Sequence, residues 1–390
     1  MSFNNKIVTN DTFIDCIIDY FCKKINMPMT NIDDILNKEY LDYEDIVILL
    51  SIEDKNDMQK VFDKALSVKA NAIGRFVYLR GLIELSNICR KNCLYCGIRR
   101  DNSKAIRYTL SHDEVMESVR LTEKYGFGSV VIQSGELLGD TFIETLESYI
   151  KEIHQNYPEL LITLSCGEQT PEVYKRWFDA GAHRYLLRIE SSDEELYYSI
   201  HPKDENHSFK ARMQALTDLR NTGYQVGTGV MIGLPNQTVE HLAKDLVFFR
   251  DFDVDMIGMG PFIEHSETPL YEKRNQLWTL EKRFNVSLLM IAILRIMMPT
   301  INIAASTALE SLDNQGRRKA ILAGANVVMP NVTPLYKKKN YKLYENKPGI
   351  HLNPWESLKS IHDSIENCGE HICYHNPGIP KHFRDRTNNT

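Results

Sequence analysis

The chain reads Glu84-Leu-Ser-Asn-Ile-Cys89-Arg-Lys-Asn-Cys93-Leu-Tyr-Cys96-Gly-Ile-Arg99 directly after an apolar run, Val77–Leu85, that predicts a strand. Three of the eight cysteines stand within eight residues here, spaced C-x3-C-x2-C. Three thiolates from one short loop can hold a metal centre, but structural zinc takes four protein ligands. Soft thiolates suit zinc or an iron–sulfur cluster. A cubane held by three cysteines would leave one iron without a protein ligand, which makes that iron a reactive position.

Two other interpretations of these cysteines stay open on the residues alone. Cys93 and Cys96 could form a redox disulfide pair, although nothing around them is typical of a thioredoxin-type unit. A zinc knuckle would need a distant fourth ligand, and no second close Cys/His pair is obviously placed to supply one. The remainder of the chain favours the three-cysteine cluster.

Length, composition and charge are those of an ordinary soluble globular protein of one large domain or two. Of the 390 residues, 43% are hydrophobic and 25% are charged. The net charge of −6 argues against a general nucleic-acid binder, which usually carries a basic surface. No apolar run approaches the roughly 18 residues of a membrane span, and the N-terminus lacks a secretory signal. The cysteines do not form a secreted disulfide framework. We therefore expect a reducing, cytoplasmic location without nucleic-acid or membrane partners.

Strand-like and helix-like segments alternate regularly from Val77 onward. This alternation predicts a parallel sheet, and eight units in about 250 residues match a (β/α)8 TIM-type barrel. An open doubly wound sheet is the alternative. The predicted strands are Val77–Leu85, Ser129–Gln133, Leu160–Leu164, Arg184–Ile189, Gln225–Met231, Asp255–Gly260, Thr300–Ala304 and Asn326–Met329. The predicted helices are Ser111–Tyr125, Thr141–Gln155, Pro171–Ala180, Phe209–Thr222, Thr238–Asp251, Phe284–Met298 and Asp313–Ala323.

The segments on either side of the barrel have a different texture. Residues 1–76 show helical spacing of apolar residues and predict a helical cap on the barrel, residues 77–334. Cys16 and Cys22 fall within that apolar pattern and are expected to be buried structural thiols. Residues 335–390 predict a helical and irregular extension that closes the barrel. We expect its polar tail to be partly disordered.

Polar residues follow most of the predicted strands, where a barrel of this type has its active site. Gln133-Ser-Gly-Glu136 follows the second strand and Ser165-Cys-Gly-Glu168 the third. Arg184, Arg188 and Glu190 alternate along the fourth strand and predict charges on one face. Such charges are costly in a barrel mouth unless they pair with one another or meet a charged ligand. An internal ion pair and a ligand site both stay open.

Together with the cysteine triplet, these stretches resemble the radical S-adenosylmethionine (SAM) enzymes of the biotin-synthase-like branch, and among them the HydE-type maturases of FeFe-hydrogenases. The aromatic residue Tyr95 before the last cysteine belongs to this pattern. The resemblance covers about residues 40–350. Further stretches that carry it are Met231–Thr238, Met256–His265, Ala304–Leu309, Gly324–Pro334 and Tyr341–Tyr344.

The resemblance implies two cofactors, a 4Fe–4S cluster on Cys89, Cys93 and Cys96 and a SAM molecule chelated to its open iron. Tyr95 would lie beside the adenine. Arg212 would clamp a carboxylate in a bidentate way. The chain has Ser-Gly-Glu where the family carries a Gly-Glu pairing, so that contact is in doubt. The implied SAM-binding residues are Tyr95, Ser134, Glu136, Thr163, Glu190, Arg212, Met231 and Met256.

The resemblance also implies a substrate and partners. Cleavage of SAM would give methionine and a 5′-deoxyadenosyl radical, which an enclosed barrel would shield from water. The radical would act on a small sulfur-containing, anionic iron carbonyl/cyanide precursor of the hydrogenase diiron subcluster. Partner hydrogenase maturases are implied, and a monomer is favoured. The residues of the implied anion-binding substrate pocket are Gln133, Arg184, Arg188, Ser306, Thr307 and Tyr341.

The chain departs from some relatives in one respect. They carry an accessory iron–sulfur site on cysteines that follow the segment equivalent to Tyr341–Tyr344, whereas here the next cysteines are Cys368 and Cys373. No second cluster is predicted, although these two cysteines with His371 and His375 could form an unrelated metal site. Cys166 is expected to be a packed small residue.

Two other function classes stay open. One is another radical enzyme of the branch, such as a methylornithine-synthase-like mutase, which rearranges an amino-acid carbon skeleton. A pocket for lysine needs acidic residues that face the substrate amine, whereas the arginines of the fourth strand favour an anion. The other class is a non-enzymatic carrier that holds the cluster for assembly.

Overall fold

The computed structural model describes residues 31–352 and 354–388. The chain divides into two compact units, one that ends at Leu41 and one that starts at Asp42. The first unit contains, among its described residues, the short helix α1 (Ile32–Leu36). The predicted buried thiols Cys16 and Cys22 lie outside the described residues.

Two helices precede the barrel within the second unit. Helix α2 (Tyr43–Leu50) begins after Asp42, which forms a capping box with the third residue of the helix. Helix α3 (Lys55–Ile73) begins after Asp54, whose carboxylate accepts two backbone N–H groups of the first turn. Their apolar faces pack on outer helices of the barrel, as the amphipathic spacing of the sequence indicates.

Eight parallel strands follow one another around a barrel in chain order. Strand β1 pairs with β2 on one side and with β10 on the other, and a bridge between Ala304 and Val327 joins β9 to β10. The predicted (β/α)8 barrel is therefore confirmed, and the open doubly wound sheet is wrong. The barrel strands are β1 (Phe76–Ser86), β2 (Ser129–Ser134), β3 (Leu161–Ser165), β4 (Ala182–Leu186), β5 (Gln225–Thr228), β7 (Met256–Ile257), β9 (Asn302–Ile303) and β10 (Val327–Val328), with a short parallel pair, β6 (Met231–Ile232) and β8 (Gly260–Pro261), that continues β5 and β7.

The helices cover the outside of the barrel, and several begin within one residue of the predicted start, whereas the helix predicted from Phe284 begins at Leu280. Ser111 caps the first with the predicted capping box to Glu114, and Thr170 caps another whose first residue is Pro171. The predicted helix at Asp313–Ala323 is shorter and follows a separate one. The helices are α4 (His112–Lys124), α5 (Asp140–Asn156), α6 (Pro171–Asp179), α7 (Glu194–Ile200), α8 (Phe209–Thr222), α9 (Val239–Asp251), α10 (Leu280–Met297), α11 (Thr307–Leu312) and α12 (Gly316–Leu322). None of the described helices is long and apolar enough to cross a bilayer.

The C-terminal extension contacts the mouth of the barrel, the end at which β1 runs into the cysteine loop. After helix α13 (Leu335–Lys338), the carbonyl of Leu343 accepts the N–H of Gly97 at 2.9 Å. A side chain at position 97 would not fit, because its Cβ would lie 2.2 Å from the carbonyl oxygen of Lys342. This glycine lets the extension lie directly on the cysteine loop.

The same extension then reaches the opposite end, which we call the floor. Helix α14 (Pro354–Glu366) leads to strand β11 (His371–Ile372), which pairs with the first residues of β1. The carbonyl of Gly378 accepts from the side-chain amide of Asn302 at 2.7 Å. The extension therefore contacts the barrel at both ends.

The polar tail contains a further helix. Residues 381–388 form helix α15 (Lys381–Asn388). Its Arg386 donates to the carboxylates of Asp253 and Asp255 at 2.8 to 2.9 Å. Asp255 is fully buried at the start of β7, so a cation from the tail stabilises it there.

Candidate functional site

The cysteine loop lies at the barrel mouth against the turn that follows β2. The thiol of Cys89 accepts the backbone N–H of Glu136 at 3.3 Å, and the N–H of Arg90 donates to the carbonyl of Glu136 at 2.9 Å. The neighbouring Gly135 permits this contact, since a Cβ there would lie 2.3 Å from the carbonyl oxygen of Ile88. The backbone of two strand-end segments thus fixes the first cysteine.

The three thiols are free, partly buried and close enough to influence one another's ionisation. Burial raises the pKa of all three, and neighbouring thiolate charge adds to the shift of Cys93, whose pKa reaches about 12, and of Cys96. They are therefore protonated at neutral pH unless a cation binds, and metal binding would release their protons.

The three thiols of this loop form a donor set that a 4Fe–4S cluster takes. Such clusters are held by cysteine thiolates, and three thiolates leave one iron of the cluster without a protein ligand. Within residues 31–352 and 354–388, no three His, Cys, Asp or Glu side chains lie together as the ligands of one metal ion.

A network of buried charges lies beside the cysteine loop. Glu136 accepts from Arg90 at 2.8 Å and from Lys91 at 3.3 Å, while Glu168 accepts from Lys91 at 2.9 Å and from Arg212. Burial alone would raise the pKa of Glu168, but Arg212 and Lys91 outweigh it and hold that pKa below its ordinary value. The same network keeps the pKa of Arg212 well above the usual value, against the effect of burial.

Arg188 and Glu190 form a second charged pair at the mouth. Two parallel hydrogen bonds of 2.9 and 2.8 Å join the guanidinium to the carboxylate, and Arg188 also donates to the carbonyls of Gly258 and Val230. Glu190 has a left-handed backbone conformation with φ of 64°. Strained non-glycine residues of this kind cluster at ligand sites. The structure shows the ion pair, and a ligand site at Arg188 and Glu190 stays a prediction.

Two predicted adenosine contacts lie in one apolar cluster at the mouth. Tyr95 packs against a group that contains Met231, Leu234 and Phe262. The Tyr95 hydroxyl also faces the imidazole of His201 at 3.4 Å, and burial holds the pKa of that histidine well below its usual value. An apolar wall with one hydroxyl suits a flat, partly polar ring.

Thr163 and Met256, the other predicted SAM contacts on strands, lie deeper in the barrel. They line a small cavity together with Arg80 and Asn302. Arg80 donates to the sulfur of Met256 at 3.1 Å, and its Nε and Nη2 have no partner within the described residues. Burial lowers the pKa of Arg80 to about 9. The Thr163 hydroxyl also has no hydrogen-bond partner within the described residues. Polar atoms beside this cavity are therefore left without protein partners in the part of the chain that the structure describes.

Arg184, which was predicted as a pocket residue, lies apart from Arg188 in the structure. Its guanidinium donates to the carbonyls of Pro377 and Gly378, at 3.1 and 3.3 Å, and to the side chain of Gln225. These partners belong to the floor. Burial lowers the pKa of Arg184 well below the usual value. Alternation along a strand predicts which face of the sheet a side chain is on. It does not predict how far along the barrel axis, between floor and mouth, that side chain lies.

The remaining predicted pocket residues meet the C-terminal extension at the mouth. The side chain of Gln133 donates to the hydroxyl of Tyr341 at 3.2 Å, and Thr307 shares a 2.9 Å hydrogen bond with Tyr344. Ser306 caps helix α11 through its hydroxyl. Ser134, a predicted SAM contact, donates to the neighbouring carbonyl and is almost fully buried.

Sequence reasoning missed several polar residues of the mouth. Lys91 and Glu168 link the cysteine loop to Arg212, although both stand in quoted stretches, one between two cysteines and one after the third strand. The signal available in the sequence was a lysine between two cysteines of the predicted ligand loop. Glu84 and Lys347 were also missed, because their contact joins residues 263 positions apart. No local pattern in the sequence predicts such a pair.

Comparisons with known proteins agree with this geometry. The Radical SAM superfamily model matches residues 83–249. The chain is 40% identical over 300 residues to the FeFe-hydrogenase maturase subunit HydE of Thermotoga maritima, a match that covers 76% of this chain and 82% of that protein. It is 28% identical over 308 residues to 3-methylornithine synthase of Methanosarcina acetivorans, covering 76% and 82%.

The fold comparison gives the same architecture. A crystal structure of methylornithine synthase (PylB) matches with a TM-score of 0.74 over 88% of this chain and 97% of that one, at 24% sequence identity. At this identity the likeness bears on the fold alone.

Proposed function

This chain belongs to the radical SAM superfamily and, within it, to the family of the hydrogenase maturase HydE, and from that premise we propose that it cleaves SAM reductively during assembly of the FeFe-hydrogenase active site. The observation that carries the proposal is the cysteine loop beside a mouth lined with paired charges. Radical SAM enzymes need both, because a cluster must face a zwitterionic cofactor.

Cys89, Cys93 and Cys96 would hold the 4Fe–4S cluster. The chemistry that this cluster and SAM supply together when bound is one-electron cleavage of a carbon–sulfur bond. Lys91, which is 3% exposed, puts a cation between two of the cysteines in sequence and within reach of two carboxylates. A fixed positive charge stabilises thiolate ligands electrostatically.

The mouth residues would bind and orient SAM. Tyr95 and Met231 would contact the adenosyl group through the apolar cluster. Glu168 and the carbonyl of Arg188 hold Arg212 in one orientation, so its guanidinium is pre-organised for a carboxylate. Glu136 and Glu190 supply negative charge for the amino group and for the sulfonium side. Gly97 and Gly135 let neighbouring backbone approach the cysteine loop closely. This close packing would help to exclude water from the site.

The substrate would be a small sulfur-containing, anionic iron carbonyl/cyanide precursor. Gln133, Ser306, Thr307 and Tyr341 would present hydroxyl and amide groups to it, and Arg188 a positive charge. Arg184 is left out of this pocket because its partners belong to the floor. Partner maturases would supply the precursor and accept the product, since the relative named above acts as one subunit of a maturation system.

Anaerobic reconstitution followed by reduction with SAM tests this proposal. We expect methionine and 5′-deoxyadenosine in equal amounts. A Cys166→Ala variant is the matched control, because Cys166 is fully buried beside β2 and not in the cysteine loop, and it should behave like the unaltered chain. A full cluster complement without 5′-deoxyadenosine would contradict the enzymatic function.

One observation keeps a second candidate, a methylornithine-synthase-like mutase, in view. Glu84 is 1% exposed and faces the barrel interior, which is the kind of acidic residue that a pocket for an amino-acid substrate requires. Incubation of the reconstituted chain with L-lysine and SAM distinguishes the two functions. A rearranged amino acid would support the mutase and contradict the maturase.

A further inference from the structure

Glu84 is a buried acid on the inner face of the barrel. Alternate residues of a strand share one face, and Arg80, four positions earlier on β1, lines the internal cavity. Glu84 therefore faces inward at the mouth end, about 13 Å along the strand from Arg80. Its register partner in β2 is Gln133, whose amide meets Tyr341. Glu84 thus lies at the level of the proposed substrate pocket.

The carboxylate of Glu84 is only half satisfied by the protein. One oxygen, Oε1, accepts from the ammonium of Lys347. The other, Oε2, is buried and has no hydrogen-bond partner within the described residues. A carboxylate oxygen left unsatisfied inside a protein costs free energy, which a cationic or hydrogen-bonding ligand would recover.

Lys347 differs from the other cations of the mouth in how it is held. Arg188 and Arg212 each have several fixed partners on barrel strands and helices, whereas Lys347 is the end of a flexible stem on the C-terminal extension. Besides Glu84, its ammonium donates to the carbonyl of Tyr341 at 3.2 Å and lies 5.1 Å from the centre of that ring. A primary ammonium against a carboxylate, a carbonyl and an aromatic face is the environment that a protein offers to an amine ligand.

We propose that Glu84 is the acceptor for a cationic amine of the substrate, and that Lys347 occupies this subsite as a tethered surrogate until the amine replaces it. The inference deepens the proposed function and rests on it for the identity of the site. It assigns to the substrate an amine in addition to its anionic part. Displacement exchanges one ammonium for another, so the buried carboxylate is never left without a cation.

Matched small probes test the subsite on the anaerobically reconstituted full chain. In a Lys347→Ala variant, n-butylammonium copies the missing side chain and should raise the melting temperature in a saturable way, whereas 1-butanol should not. Because a hydrogen bond between charged groups is stronger than one between a charged and a neutral group, we expect the ammonium to bind at least about tenfold more tightly than the alcohol. Adding Glu84→Gln to that variant should abolish the difference.

Lys342→Ala is the matched control, because Lys342 lies five positions earlier in the same extension with an exposed side chain. Its response to both probes should equal that of the unaltered chain, and its ammonium response should be weaker than that of Lys347→Ala, because Lys347 still competes for the subsite. Equal responses to n-butylammonium and 1-butanol in Lys347→Ala, or an ammonium response that survives Glu84→Gln, would overturn the proposal.

A second measurement covers the case in which Lys347→Ala does not fold. The unaltered chain should bind L-2-aminobutanoate at least about tenfold more tightly than butanoate, which lacks only the amine, and Glu84→Gln should remove that preference. No preference in the unaltered chain would contradict the subsite. The yield of 5′-deoxyadenosine from the same samples reports separately on SAM cleavage, so failure of the proposed function is distinguishable from failure of this inference.

Discussion

Two arginines at the mouth of the barrel and two at its floor have opposite kinds of partner. At the mouth, Arg188 and Arg212 each face a carboxylate, and the pKa of each guanidinium is raised although burial alone would lower it. At the floor, Arg184 and Arg295 have neutral partners, mainly backbone carbonyls. Burial lowers the pKa of Arg184 well below the usual value and that of Arg295 to about 9.

The difference in partners distinguishes arginines that can bind a ligand from arginines that hold chain segments together. Carboxylate partners keep a guanidinium charged and can share it with a ligand, as a zwitterionic cofactor requires. Carbonyl partners use the same donors to join distant chain segments, and they leave no counter-charge for a ligand to exchange with. We therefore infer that the arginines of the mouth serve ligand binding, whereas Arg184 at the floor fastens the C-terminal extension to the barrel.

Loss of a cluster ligand at the mouth should have the largest effect. We expect Cys93→Ala to reduce bound iron from about four atoms per chain to near background, because two thiolates cannot hold a cubane. Iron analysis and electron paramagnetic resonance after anaerobic reconstitution measure this. Near-normal iron in the variant would refute Cys93 as a ligand.

The second-largest effect is expected for Arg212→Met at the mouth, and it should fall on SAM binding. We expect the affinity for SAM to fall by about a hundredfold, or about 2.7 kcal/mol, with iron content retained, because a charge partner of the cofactor and of Glu168 is lost. Equilibrium binding of SAM to the reconstituted chain measures the change. Arg176→Met, at an exposed arginine on helix α6 that pairs with Glu147, is the control and should leave SAM affinity unchanged.

Arg184→Met should have the opposite profile. We expect the free energy of unfolding to fall by about 2 kcal/mol, since the carbonyls of Pro377 and Gly378 lose their donor while the cost of one buried charge is relieved. Denaturant unfolding measures this, and Arg120→Met in an exposed ion pair should change stability by less than about 0.5 kcal/mol. Unchanged stability together with lost substrate turnover would return Arg184 to the substrate pocket.

The smallest effect is a pH dependence at the mouth. Because His201 has a folded-state pKa well below 6.5, its contribution to stability is complete above pH 6.5 and is lost as the pH falls below it, by at most about 1.4 kcal/mol at pH 5.5. His201→Phe should flatten unfolding free energies between pH 7.5 and 5.5. His112→Phe is the control, at an exposed histidine whose pKa is raised by a hydrogen bond to Glu152. It should not flatten the unfolding free energies over this pH range. An unchanged pH slope in His201→Phe would contradict burial of a neutral imidazole.

The sequence predicted much of the mouth because its signals are local. The triplet of Cys89, Cys93 and Cys96 stands in one loop, and strand–helix alternation specifies that parallel strands follow one another around a barrel. Glu136 and Glu190 are strand-end residues, so their location at the mouth follows from the fold. Each inference used residues that are close in sequence.

What escaped prediction depends on height and on distant pairing. Arg184 and Arg188 share a face of one strand, but four residues span about 13 Å, so one lies at the floor and one at the mouth. The contact between Glu84 and Lys347 and the contact between Arg184 and Gly378 join segments that only the folded chain brings together. Helix α15 was missed because its ion pairs to Asp253 and Asp255 are equally remote.

The C-terminal extension contacts the barrel at both ends, and this has a consequence for the order of biosynthesis. A ribosome releases the cysteine loop long before residues 341–347 and 373–378, so the nascent barrel has an open mouth and an open floor until those segments emerge. Domains fold largely as they emerge, yet here both ends are complete only after residue 378 has been made. A chain truncated before residue 341 would therefore expose the proposed cluster site to solvent.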